Sequence, residues 1–236
     1  MLSKYVKPGD KVEVQAVERV KFADEGEKKK VYASMVSDIL SDDQLEIVMP
    51  MEKSKLILLP VNAEYDVYFY TESGLYQCFV KVIDRYKQDN QYILLLELTS
   101  NLRKFQRREY YRLGCALEMS ARPLEKEEIR AVENNDKYLV PGLPLKRSVI
   151  VDISGGGIRF VGDYCYEPDS LVCCKYNLAT DGKSKEYTLI SKILTARELP
   201  DRPGLYEHRA QYIHIDTAER EEIIRFIFEE ERKHRK

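Results

Sequence analysis

Apolar and polar residues alternate with a period of two along most of this chain, and a helical period appears only near its end. Behind the turn Pro8-Gly9-Asp10, Val12, Val14 and Ala16 alternate with Lys11, Glu13 and Gln15. Such alternation buries one face of a strand and leaves the other wet. Lys11–Val17 is therefore read as a strand, followed by a polar loop over Asp24–Lys30 and further strands at Val31–Ile39 and Leu45–Val48. Met51–Leu59 reads as a short connector plus a strand. Tyr65–Tyr70 alternates cleanly, Thr71–Gly74 makes a hairpin turn into Leu75–Asp84, and Tyr92–Glu97 follows. Seven short strands with turn signals between them predict a small antiparallel barrel over residues 1–98.

A second set of strands follows a basic stretch, Ser100 to Arg112. Strands are predicted at Tyr110–Leu117, Ser148–Ile153, Ile158–Val161, Leu171–Leu178, Glu186–Thr195 and Tyr206–Ile215. Arg122–Asp136 is mixed and charged and reads as a surface excursion, and Pro141–Pro144 as a loop. Asp216-Thr217-Ala218-Glu219 resembles a capping box. The helix it starts places Ile223, Ile224, Ile227 and Phe228 on one face, for docking onto the barrel, with dimerisation or partner contact as the alternative use, and ends in a cationic tail that suits the helix dipole. The expectation is an all-β chain: two small antiparallel β-barrels, residues 1–98 and 99–236, with a C-terminal α-helix.

Composition narrows the function. The chain has 236 residues, 33% of them charged and 44% hydrophobic, as in ordinary globular proteins. A net charge of −2 leaves no global footprint for nucleic acid or an anionic membrane, so any anion site has to be local. No N-terminal apolar region and no stretch of roughly 18 apolar residues suggests a membrane span or a signal peptide. Five cysteines without a C-x-x-C pair imply reduced thiols in the cytoplasm. The three histidines have no metal spacing, and no Ser/His/Asp or Cys/His constellation supports catalysis, so no enzyme and no metal site is expected.

The candidate chemistry lies in two segments. Arg107-Arg108-Glu109-Tyr110-Tyr111-Arg112 supplies three planar guanidinium forks, each matched to a phosphate or a guanine edge; Arg103 and Lys104 stand just upstream. Alone, such a run is more often a solvated linker face. Asp152-Ile153-Ser154-Gly155-Gly156-Gly157 supplies a carboxylate that can accept from the guanine N1/N2 edge, a hydroxyl, and glycines that let a ligand approach. On an extended segment, Arg108 and Arg112 would share a face about 13 Å apart. A Cβ at Gly157 would clash with a ligand or forbid the turn. Together the segments describe a receptor for something anionic, planar and guanine-like.

Arg108-x-x-x-Arg112 followed by Asp152-x-Ser154-x-x-Gly157 resembles the paired signature of PilZ domains, receptors for the bacterial second messenger cyclic di-GMP. The whole layout, a β-rich front domain and a terminal helix included, resembles the flagellar-brake, YcgR-like type. The resemblance implies a ligand site built from Arg103, Arg107, Arg108, Arg112, Asp152, Ser154, Gly155, Gly156 and Gly157, at the junction of the two barrels. It implies that ligand binding changes the interdomain geometry and acts on a flagellar motor protein, stator or rotor, to restrain motility. The place of action is then the cytoplasm, with recruitment to the flagellar basal body. Arg107, just before the first signature arginine, implies a stacked pair of cyclic di-GMP molecules per chain, and no other cofactor. Many PilZ domains have a small residue in the late strand where this chain has His208-Arg209-Ala210, a position that would alter the ligand rim or add a cation. Two rivals come from other classes. One is a small-barrel nucleic-acid binder, which would spread basic and aromatic residues over a barrel face. The other is a split-barrel flavoprotein, for which the front domain has no phosphate-cradling glycine loop.

Overall fold

A computed structural model describes residues 2–17, 30–180 and 182–234. The polar loop expected at 24–30 lies, but for Lys30, outside the described residues. The chain divides into two compact units, residues 1–107 and 108–236.

In the first unit a 3₁₀ turn, Leu2–Lys4, precedes β1 (Lys11–Ala16), β2 (Val31–Ile39) and β3 (Gln44–Val48). Then come the two-residue strands β4 (Met51–Glu52) and β5 (Lys55–Leu56), and after them β6 (Glu64–Thr71), β7 (Gly74–Gln88), β8 (Gln91–Leu98) and β9 (Arg103–Lys104). The pairing order is β6-β1-β2-β3-β8-β7-β9, and a further β6–β7 pairing joins six of these strands into a ring. The alternation explains the wall. Val12 and Val14 of β1 oppose Phe69 and Val67 of β6, and all four are buried in one core with Leu45, Ile47, Cys78, Val80, Leu94 and Leu96. Strand β7 serves two neighbours: its first half pairs with β6 and its second with β8, across an irregularity at Val82/Asp84 that lets the strand turn the corner.

Two features here depart from expectation. Met51–Leu59 holds no full strand but a minimal hairpin, β4–β5, whose turn residues Lys53 and Ser54 both take positive φ, at 46° and 66°. Leu58 is exposed beside it, whereas Leu59 is buried and Leu56 and Ile57 pack against the core, so the run docks its apolar side chains without forming a full strand. Residues beyond 98 also stay with this unit. The Thr99 N–H donates to the Phe79 carbonyl, β9 lies alongside Tyr76 and Gln77 of β7, and the Phe105 ring meets Tyr68 edge-on.

The second unit is a closed six-stranded antiparallel barrel in the order β10-β11-β12-β15-β14-β13. Its strands are β10 (Arg112–Pro123), β11 (Lys146–Ser154), β12 (Gly157–Gly162), β13 (Leu171–Thr180), β14 (Lys183–Leu199) and β15 (Arg202–Tyr212). Irregularities at Gly114/Leu117, Ile150/Asp152 and Ile193/Thr195 bend the sheet into closure. Leu113, Ile150, Ile153, Ile158, Phe160, Tyr176, Leu189 and Ile193 fill the interior.

The charged excursion at 122–136 is in fact helical: α1 spans Lys126–Glu133. Its fold is set by Glu128, which accepts the Glu125 backbone N–H at 2.7 Å and the Val140 N–H at 2.7 Å while pairing with Arg122. Val132 and Leu124 then cover Cys173 and Ile190 on the outside of β13 and β14. The terminal helix α2 (Thr217–His234) docks as expected, but through Ile223, Phe226 and Ile227; Phe228 is 51% exposed. Phe228 sits about 140° around the helix from Ile223, whereas Phe226 is only about 60° away.

Candidate functional site

Strand β11 delivers both polar residues of its signature to the same side. Asp152 and Ser154 flank Ile153, which is buried in the barrel, so their side chains face outward. Ser154 pairs with Gly157 across the Gly155-Gly156 turn, and on the other side Arg112 pairs with Ser154 and Gly114 with Asp152. Residues directly opposite share a face. Arg112, Asp152 and Ser154 are therefore assembled on one patch of the outer wall, with Arg112 exposed.

Two further side chains complete this patch: Arg159, which the signature reading missed, and Arg209, from the late-strand position it had singled out. Arg159 stands opposite Asp152 on β12, and its Nε donates to Asp152 Oδ2 at 2.5 Å while Nη1 donates to Glu207 Oε2 at 2.7 Å. The hydrogen bond to Asp152 holds the guanidinium pKa above its ordinary value against burial, so the charge is permanent. Arg209 of β15 lies opposite Arg159 and is exposed, which places the late-strand cation on this rim. Its neighbour His208 points the other way. It is fully buried, stacks on Phe160 with centroids 4.8 Å apart, and accepts the Tyr166 N–H at Nε2. Burial lowers its pKa, which favours the neutral ring.

The glycines act differently from expectation. None of Gly155, Gly156 and Gly157 has positive φ. A Cβ on Gly157 would run into the Ala210 carbonyl oxygen of β15, so strand packing by itself requires glycine there. A Cβ on Gly155 would meet the Tyr110 ring at 2.7 Å and Ile224 of α2 at 2.9 Å. The Tyr110 hydroxyl accepts from Arg220, whose guanidinium also lies over the ring. Ser154 is likewise engaged, donating to the Gly157 carbonyl at 3.0 Å.

Tyr110 also explains why Arg108 and Arg112 are not on one strand. Strand β10 begins only at Arg112, and the chain bends at Glu109 and Tyr110 as the ring packs onto the glycine turn. Arg108 is exposed at the start of the second unit. Arg103 and Arg107 belong to the first unit. Arg103 Nε donates to Gln77 Oε1 at 2.5 Å. Arg107 Nη1 donates to the Tyr70 hydroxyl at 2.6 Å and approaches Glu13 at 3.4 Å, with its guanidinium 5.3 Å from the Tyr70 ring centre. A cavity of about 930 Å³ on the second barrel, lined in part by Val149, Val151, Val161 and Leu205, contains none of the signature residues; these form an open patch instead.

Among the described residues no group of three or more His, Cys, Asp or Glu side chains can hold a metal ion, and no helix is long and apolar enough to cross a membrane.

The PilZ domain model matches residues 106–229, the stretch that carries this patch, its hairpin and the terminal helix. The chain belongs to the PilZ domain family. Its front domain, residues 7–98, matches the model of flagellar protein YcgR, so the chain is of the YcgR-like type. PilZ-family proteins are cyclic di-GMP receptors, not enzymes. Among solved structures, the Bacillus subtilis inhibitor of motility (MotI/DgrA) is similar over 98% of this chain and 100% of its own, with a TM-score of 0.74 at 16% identity. YcgR from Escherichia coli in complex with c-di-GMP is similar over 96% and 86%, with a TM-score of 0.47 at 12% identity. At these identities the first likeness is one of fold. No curated relative matches the sequence.

Proposed function

We propose that this chain is a cytoplasmic cyclic di-GMP receptor that restrains flagellar motility through a protein partner of the flagellar motor, stator or rotor. The observation that carries the ligand reading is the outer-wall patch in which Arg112, Asp152 and Ser154 converge beside Arg159 and Arg209. Guanidinium groups answer the phosphates and base faces of the messenger, and Asp152 answers the N1/N2 edge of guanine. Charge-assisted hydrogen bonds contribute about 1.5–3 kcal/mol each. Contacts from Arg108, Arg112 and Asp152 together are then of the order of the ~8 kcal/mol of a micromolar site, before ordering costs.

The patch is open, so the ligand gains its remaining cover from the chain before β10. Arg107 is held in the first unit by Tyr70 and Glu13 through exposed, weak contacts. A second, stacked messenger molecule offers Arg107 a guanine face in place of the Tyr70 ring. Exchanging one for the other frees the segment from the first barrel and orders it on the ligand. This is the proposed origin of the interdomain change, of a stoichiometry of two, and of the altered surface that recruits the chain to the flagellar basal body. The motility-inhibitor likeness of fold agrees with this output.

Titration calorimetry on the full chain tests the ligand reading. The expected result is saturable binding of cyclic di-GMP in the micromolar range or tighter; absence of binding overturns it. Pull-down of stator and rotor proteins with and without the messenger tests the output, and capture that does not depend on the messenger would remove the switch.

A further inference from the structure

Arg159 is a doubly anchored side chain with no part in the paired signature. Two-ended anchoring of this kind is costly in side-chain freedom, so what it fixes is informative. The guanidinium lies between Asp152 and Glu207, bonded to one oxygen of each, and all three side chains are partly buried at 36%, 17% and 18% exposure. The three residues come from three neighbouring strands, with Asp152 opposite Arg159 on β12 and Glu207 on β15. A carboxylate has about four lone-pair directions. Arg159 takes one on Oδ2 of Asp152, and no hydrogen bond reaches Oδ1 among the described residues. Asp152 is thus held at a single rotation with one oxygen free, on the same face as Arg112 and Ser154.

We propose that Arg159, with Glu207 behind it, is the positioning residue for base selection: it fixes Asp152 so that the free oxygen meets a guanine N1/N2 edge. The inference rests on the receptor reading above and deepens it. It separates two effects of the same cation. Arg159 neutralises the Asp152 charge, which would otherwise repel the phosphates of any cyclic dinucleotide, and that effect is blind to the base. Orienting Asp152 favours guanine alone, because adenine offers no N1–H donor and no amino group at the 2-position. Base selection and overall affinity therefore respond differently to changes at Arg159.

The test is calorimetry with cyclic di-GMP and cyclic di-AMP on wild-type, Arg159→Met, Arg159→Lys and Glu207→Gln proteins, each verified as folded by circular dichroism and thermal melting. Arg159→Met is expected to reduce the guanine-over-adenine affinity ratio by at least about fivefold, the scale of one net hydrogen bond. Arg159→Lys, which keeps one donor on Asp152, should retain more of the ratio, and Glu207→Gln should lower it by roughly twofold as Arg159 loses one anchor. Equal losses for both ligands in Arg159→Met, with the ratio intact, would overturn the inference, since the cation would then act only through charge. So would tighter binding of both ligands by Glu207→Gln, which would make Arg159 a phosphate contact in its own right. A wild-type protein that binds neither dinucleotide would overturn the receptor reading itself, an outcome distinct from either.

Discussion

Arg122 and Glu128 are joined by two parallel hydrogen bonds, Nη1 to Oε2 at 2.7 Å and Nη2 to Oε1 at 2.5 Å, and the carboxylate is wholly buried. The Arg122 bonds, together with the Glu125 and Val140 N–H groups, outweigh burial and hold the Glu128 pKa down at about 2. A depressed folded-state pKa means that the stabilisation is present above the unfolded value of about 4.5 and is lost as pH falls towards 2. Denaturation midpoints measured from pH 6 down to 2 should therefore fall across that window, and less steeply in Glu128→Gln.

Removing one partner is a harsher test of the same pair. Arg122→Met leaves a buried carboxylate without its cation and should cost about 3–5 kcal/mol. The double variant Arg122→Met/Glu128→Leu should recover part of that loss. Urea unfolding measures both, and an additive double variant would show that the pair is not coupled.

Gly157 permits a backbone approach that no side chain could share. In Gly157→Ala the new methyl meets the Ala210 carbonyl, so β12 and β15 must move apart, with a loss of at least about 1–3 kcal/mol. Gly156→Ala should cost less, because its nearest neighbour is the Tyr110 ring at 3.1 Å, and a side chain can yield. Thermal melts of the two variants compare them directly; equal shifts would remove the packing argument.

What could be read from the residues depends on how local the cause was. The period-two alternation at Lys11–Ala16 and Glu64–Thr71 mapped directly onto strands, because each has one buried face. Helix α1 went unread: Leu124, Ile129 and Val132 do fall on one helical face, but the helix is only eight residues long and mostly charged, and the Arg122–Glu128 pair that fixes it is a tertiary contact. Likewise Arg108 and Arg112 read as neighbours on an extended segment until the docking of Tyr110 bent the chain between them. Arg159 was within reach. A two-residue turn at Gly155-Gly156 sets Ser154 opposite Gly157 and hence Asp152 opposite Arg159. Glu207 was not, since the β12–β15 register is set by barrel closure and by no local turn.

The two signature arginines should behave alike despite their different settings. Arg108→Ala and Arg112→Ala are each expected to weaken cyclic di-GMP binding by at least about tenfold, the loss of one charge-assisted contact of ~1.5 kcal/mol or more. Calorimetry on folded variants measures this. Wild-type affinity in both would move the ligand away from the β10–β11 edge.

Arg107 carries the last and sharpest expectation, because its present contacts define what it must give up. Its guanidinium lies over the Tyr70 ring and near Glu13, both in the first unit. If it caps a second, intercalated messenger molecule, wild-type protein binds two molecules per chain and Arg107→Ala binds close to one, while the contacts of Arg108 and Arg112 persist. If it serves only to tether the segment to the first barrel, Arg107→Ala keeps the wild-type stoichiometry. Tyr70→Phe sharpens the distinction: it deletes the 2.6 Å hydrogen bond to Arg107 but keeps an aromatic face. Freed from that bond, a capping Arg107 should reach the second molecule more readily, so the second site should tighten by a few-fold, on the scale of a net hydrogen bond of about 1 kcal/mol. A stoichiometry of one in the wild type, or of two at unchanged affinity in Arg107→Ala, would reject the capping role and leave Arg107 as a tether.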